Sequence, residues 1–108
     1  MSDKLVILSR LAALDVVNLI SFYLTEADDE TALRFIEALE DARRHISSYP
    51  DSGSLRYTHE IGIHNLRVWQ LARFPQMIFY VDQRKDIHVW RVLHGGRDIA
   101  QILQEDMD

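Results

Sequence analysis

The side chains able to do chemistry are few and scattered. Five histidines invite a metal site, but none sits at an i, i+4 spacing within a helical pattern and no H-E-x-x-H run is present. His59 and His64 lie five apart in a polar stretch, a spacing that makes no established ligand set. Asp28, Asp29 and Glu30 cluster, yet acids at that place suit the start of a helix, where they meet the positive end of its dipole. Gly95-Gly96-Arg97 resembles half of a phosphate loop without its lysine and spacing. There is no cysteine, so thiol chemistry and cysteine-based zinc sites are excluded. No G-x-S-x-G nucleophile motif occurs. These observations predict no metal and no cofactor.

More informative is the C-terminal half, where Trp69, Phe79, Tyr80 and Trp90 are interleaved with Arg67, Arg73 and Arg91. Tryptophan and arginine together mark binding patches as often as they mark a core with a solvated rim. Charge is also unevenly placed. Residues 1–54 carry five basic and ten acidic side chains, residues 55–97 seven basic and three acidic, and the last eleven residues four acids. The net charge of −5 argues against general nucleic-acid binding, which depends on neutralising phosphates. A basic face can still meet an acidic partner.

The elements that must carry these residues are readable. The chain has 108 residues with 47 % apolar and 27 % charged side chains, the balance of one globular domain, taken as 1–108. Leu5-Val6-Ile7-Leu8 reads as a short buried strand. Ser9 can cap a helix over 11–25, which is apolar on more than one side. Asp28 or Asp29 can cap a second helix over 31–48, whose stripe Phe35, Leu39, Ala42, Ile46, Tyr49 is the clearest period in the chain. Tyr49-Pro50-Asp51-Ser52-Gly53 stops it, and residues 50–65 read as loop. Strands are expected over 66–72, 76–81 and 86–94, with Pro75 between two of them, then a short helix over 97–105. Alternation along the first of these strands places Arg67, Trp69, Leu71 and Arg73 on one face. The order is β-α-α-β-β-β-α. Phe35, Leu39, Ile46 and Ile78 are expected in the core. No apolar run approaches the roughly 18 residues of a membrane span, and the N-terminus lacks the pattern of a secretory signal, so a soluble cytoplasmic protein is expected.

With these elements in place, a family likeness emerges. Trp90-Arg91-Val92-Leu93-His94-Gly95-Gly96-Arg97-Asp98-Ile99 resembles the "strand, Leu-His-Gly-x-Arg-Asp, helix" signature that closes the ParE toxins. Met77-Ile78-Phe79-Tyr80 is similar to their "Ile-Phe-Tyr" strand, and Leu66-Arg67-Val68-Trp69 to the "Leu-Arg-x-Phe" strand before it. Arg34 to Leu39 followed by Tyr49-Pro50-Asp51-Ser52-Gly53 resembles their second helix and its "Phe-Pro-x-x-Gly" exit. The likeness runs along the whole chain, in order. It implies the α+β fold of the RelE/ParE superfamily: an N-terminal strand, an αα-hairpin on a twisted antiparallel sheet, and a short C-terminal helix.

The resemblance also implies what such a chain does. ParE-like toxins poison DNA gyrase by binding, need no cofactor, and are neutralised by a ParD-like antitoxin. On this reading Trp69, Arg73, Trp90, Arg91, His94 and Arg97 are candidates for the target surface. Leu11, Leu14, Phe22 and Leu24 are candidates for the antitoxin surface, because the first helix holds more apolar residues than one buried stripe can use. The RelE branch of the superfamily cleaves mRNA on the ribosome, chemistry that needs a base, an acid and a cation for the phosphorane. RelE-like chains carry an arginine where Met77 stands, and the only lysines here are Lys4 and Lys85. A nuclease would have to use Arg73, Arg91 and His94, and is the second reading; a degenerate member that only binds antitoxin is the third.

Overall fold

The computed structural model describes residues 3–96 and 98–107; Arg97 and the expectation placed on it lie outside the described residues. The chain begins with β1 (Leu5–Leu8). Ser9 then ends the strand and starts α1 (Arg10–Glu26): its Oγ accepts the Ala12 N–H at 3.0 Å and donates to the Trp90 carbonyl at 2.8 Å. α2 (Asp29–Ser48) starts in the same manner, with Asp28 accepting the Thr31 N–H at 2.7 Å. Hydrogen bonding to the Thr31 side chain and, next, to its backbone N–H holds the Asp28 carboxyl below the usual aspartate range. Both caps are the ones legible in the sequence.

Residues 50–65 were expected to be loop, but a one-turn helix, α3 (Thr58–Ile61), forms within them. Gly62 closes it in the left-handed conformation at φ 79°. Its apolar residues are too few to show a period, which is why the pattern stays silent there. β2 (Leu66–Gln70), β3 (Gln76–Asp82) and β4 (Asp86–His94) follow as a meander, and α4 (Ile99–Met107) closes the chain.

The four strands lie in the order β1-β4-β3-β2. β2–β3 and β3–β4 pair antiparallel, as expected, while β1 joins the edge of β4 in parallel, so the whole sheet is mixed. The expectation that β1 is buried does not hold. Leu5 is 68 %, Ile7 39 % and Leu8 41 % exposed. A four-residue apolar run reads the same whether the strand is central or at an edge, and this one is at an edge.

β3 is one of the two inner strands and is covered on both sides, with every residue from Gln76 to Tyr80 buried. Its alternate side chains feed two cores. Ile78 and Tyr80 meet Phe35, Ala42 and Ile46 of α2 and Ala12 of α1. Met77 and Phe79 meet Leu66 and Val68 of β2, Ile61 of α3, and Ile99 and Leu103 of α4. A bulge in β4 keeps this division. Phe79 faces Arg91 and Tyr80 faces Val89, so Trp90 is an extra residue and the alternation shifts by one. Ile87, Val89 and Val92 can therefore all face the helical hairpin. Of the expected core, Phe35, Ile46 and Ile78 are buried, and Leu39 is partly buried against them.

Buried polar contacts help lock the hairpin to the sheet. Gln76 is buried and its amide exchanges hydrogen bonds with the Tyr23 hydroxyl. Tyr80 is fully buried; its hydroxyl donates to the Pro50 carbonyl at 2.9 Å and accepts the Gly53 N–H at 3.0 Å. It thereby anchors the Tyr49–Gly53 exit of α2. A side chain at Gly53 would collide with that hydroxyl, which explains the glycine. Burial raises the Tyr80 phenol above its usual pKa.

Candidate partner and target surfaces

The hairpin does not close over its own core. Between α1 and α2 runs an apolar groove of about 300 Å³. Val16 and Ile20 form one wall and Ile36 and Leu39 the other. Ile46, Ile78, Val89 and Val92 lie at its base, and Val6 and Leu8 of β1 close one end. Helix geometry extends both walls: Leu24 follows Ile20 by four residues, and Leu33 precedes Ile36 by three. Leu24 is 48 %, Leu33 59 % and Ile36 41 % exposed, so the walls present apolar surface to solvent. Glu40 and Arg43 sit on the rim and pair with each other; the pairing holds the Glu40 carboxyl below its usual pKa.

Of the four residues expected at an antitoxin surface, none lines this groove; Leu24 stands one turn beyond Ile20 of its wall. Leu14 is exposed on the outer side of α1. Phe22 is 54 % exposed and packs its ring edge on Tyr23. Leu11 faces elsewhere, lining a smaller hollow of about 220 Å³ with Ile7 and Trp90. The wall residue Ile36 and its neighbour Leu33 one turn away were not assigned to a partner surface from the sequence. Leu33 and Ile36 fall outside the Phe35 stripe, and an apolar pair off the main stripe was the available signal.

Of the six residues expected at a target surface, the five described ones do not form one cluster. Trp69 on β2 stacks on His45 at 4.2 Å between ring centres, and His45 Nε2 is 3.1 Å from Ser52 Oγ. Beside it, Trp69, Gln70, Ser54, Arg56 and Met77 line an open cavity of about 390 Å³. Arg73 does not share a face with Arg67, Trp69 and Leu71 as expected. β2 ends at Gln70, and Arg73 sits exposed in the following turn at φ 67°, a left-handed conformation in which a strand cannot continue. Trp90 is partly buried against the cluster under α4. Two strand spacings, roughly 10 Å, separate its strand from that of Trp69.

Arg91 is engaged by α1. Its Nε and Nη2 donate to Asp15 at 2.7 and 2.8 Å, and the same carboxylate accepts the Val92 N–H at 3.0 Å. The two side chains are 16 % and 13 % exposed. Asp15 thus fastens α1 to the bulge in β4. His94 is exposed, and its Nδ1 accepts the Gly96 N–H. Arg73, Arg91 and His94, the set a nuclease would need, are therefore placed on a turn, in an ion pair with a helix and at a strand end. Met77 is buried. Among the described residues no three histidine, aspartate or glutamate side chains are grouped to hold a metal, and no helix is long and apolar enough to cross a membrane.

A mixed sheet carrying a helical hairpin on one face, with an apolar groove left open, describes a small partner-binding α+β protein. Comparison with known proteins specifies it further. Residues 6–99 match the family model of the ParE toxin of type II toxin–antitoxin system, parDE, and the chain belongs to that family. Among solved structures it is similar to a chain of the chromosomal ParDE TA system from P. aeruginosa, at 19 % identity and a TM-score of 0.70, covering 84 % of this chain and 95 % of that one. At that identity the likeness speaks for the fold. A search of curated proteins finds no match.

Proposed function

We propose that this ParE-family toxin arrests DNA gyrase by binding it, without catalysing a reaction, and that a ParD-like antitoxin neutralises it by occupying the groove of the hairpin. The observation that supports an antitoxin there is the open apolar groove walled by Val16, Ile20, Ile36 and Leu39, with exposed Leu24 and Leu33 one turn beyond its walls. A groove between two helices suits an amphipathic helix presented by a flexible partner. Charge supports the same match: residues 10–48 carry eight acids against four arginines, so the complementary segment is apolar along one side and basic along its margins.

Action by binding is supported by how the cationic residues are used. Arg91 is committed to Asp15, and Arg67 donates to the carbonyls of Asp51 and Gly53. Arg73, Arg91 and His94, the set a nuclease would need, stand on a turn, in an ion pair with a helix and at a strand end. The exposed surface around Trp69, Arg56 and Arg73 is the best supported place for the target to meet. Inducing the chain in growing bacteria tests the reading. Growth should stop, DNA supercoiling should fall, and co-expression of the protein encoded by the neighbouring gene should restore both. Growth arrest with intact supercoiling and with mRNA cut in the ribosomal A site would replace this reading with the nuclease one. Unimpaired growth despite folded, antitoxin-binding protein would assign the chain a binding role only.

A further inference from the structure

We infer that the antitoxin, besides filling the groove, adds an extended strand to the free edge of β1; this rests on the reading that an antitoxin occupies the groove. Backbone hydrogen bonding at this edge is incomplete among the described residues. The Ser9 N–H points inward and donates to the Val89 carbonyl of β4 at 2.9 Å. Lys4 points outward: its N–H donates to the Ser47 carbonyl at 3.2 Å, and its own carbonyl accepts from the Ser47 hydroxyl. Backbone groups along a strand alternate between the two sides, so Val6 and Leu8 share the outward direction of Lys4. The end of α2 covers the edge at Lys4 and no further. Val6 and Leu8 thus present two N–H and two C=O groups with no partner among the described residues.

Protected edges carry charge, proline or a bulge. The edge from Leu5 to Leu8 carries none of these. Only another strand offers donors and acceptors at the spacing these four groups demand. The side chains on either face of β1 agree. Val6 and Leu8 close the end of the groove, so a segment leaving the groove arrives at this edge. Leu5 and Ile7 are on the opposite face, next to the hollow lined by Leu11 and Trp90. An incoming strand with apolar residues at alternate positions would cover both faces together. Between Ser47, which closes one end, and the start of α1 at Arg10, there is room for a strand of about four or five residues, given a rise of roughly 3.3 Å per residue.

Amide hydrogen exchange on the full chain tests this, free and co-purified with the product of the neighbouring gene. In the complex the Val6 and Leu8 amides should slow by at least about 100-fold, while Ser9, already bonded to Val89, changes little. Ile36→Glu, placed on the groove wall at an exposed position, reports on the groove separately. A complex that Ile36→Glu abolishes but in which Val6 and Leu8 exchange as in the free chain overturns the strand and leaves the antitoxin reading standing. Failure of any complex to form overturns both. Val6 and Leu8 amides that are already slow in the free chain, and more so as concentration rises, would assign the edge to a second copy and also overturn the proposal.

Discussion

Replacing Asp15 with alanine would show what Arg91 is for. In the native chain one carboxylate accepts three hydrogen bonds, two from the Arg91 guanidinium at 2.7 and 2.8 Å and one from the Val92 N–H at 3.0 Å. Removing it leaves a guanidinium that is only 16 % exposed without that countercharge, and a backbone donor in the bulge without that acceptor. Breaking a buried pair from one side costs roughly 3–5 kcal/mol; the residual exposure here lowers the expectation to about 2–4 kcal/mol. Of a total stability of about 5–15 kcal/mol that is a large share. Urea unfolding followed by tryptophan fluorescence measures it. The double variant Asp15→Leu with Arg91→Met, which removes both charges, should recover most of the loss, giving a coupling of roughly 1–3 kcal/mol in the mutant cycle. If Asp15→Ala costs less than about 1 kcal/mol, the pair is not a structural fastening. Arg91 would then return to the candidates for direct target contact.

Other perturbations test separate parts of the structure. Phe35 is fully buried, with the rings of Tyr23 and Phe74 at 5.0 and 5.3 Å, so Phe35→Ala should destabilise by roughly 3–5 kcal/mol in the same unfolding assay. Tyr80→Phe removes the acceptor of the buried Gly53 N–H and the donor to Pro50, with an expected loss of about 1–3 kcal/mol and faster exchange of the Gly53 amide. Because the Tyr80 pKa is raised on folding, its contribution is present below the unfolded value of about 10 and is lost as pH rises through the folded value. Unfolding titrations above about pH 10 should show that loss in the native chain and less of it in Tyr80→Phe. Leu24→Glu and Leu33→Glu, at 48 % and 59 % exposed wall positions, should change stability by less than about 1 kcal/mol yet weaken co-purification with the antitoxin; undiminished co-purification would move the interface away from the groove.

Much of the fold was legible because its signals are local. Ser9 and Asp28 announce their helices by capping chemistry, and the Phe35–Ile46 stripe announces which side of α2 is buried. Gln76 to Val81 reads as a strand because Met-Ile-Phe-Tyr-Val is strongly β-prone. What stayed hidden depends on neighbours far along the chain. Nothing in Leu5 to Leu8 says that the strand is an edge, or that it runs parallel to a partner some eighty residues away. Trp90 is displaced by a bulge that only the pairing with β3 reveals. Arg91 and Asp15 each look like surface charges in sequence, and only the packing of α1 on β4 joins them. The excess of apolar residues on the first helix did point to an open surface. It did not show that the surface is a groove completed by Ile36 and Leu39 of the second helix.

The central claim is that this toxin acts on gyrase by binding, and trapping of cleaved DNA tests it most directly. Purified chain, folded by the criterion of cooperative unfolding, is added to gyrase, ATP and supercoiled plasmid, and the reaction is stopped with detergent and protease. Linear DNA should accumulate with toxin dose, antitoxin added beforehand should prevent it, and no DNA should be cut when gyrase is left out. Undisturbed supercoiling at every dose of folded chain would contradict it.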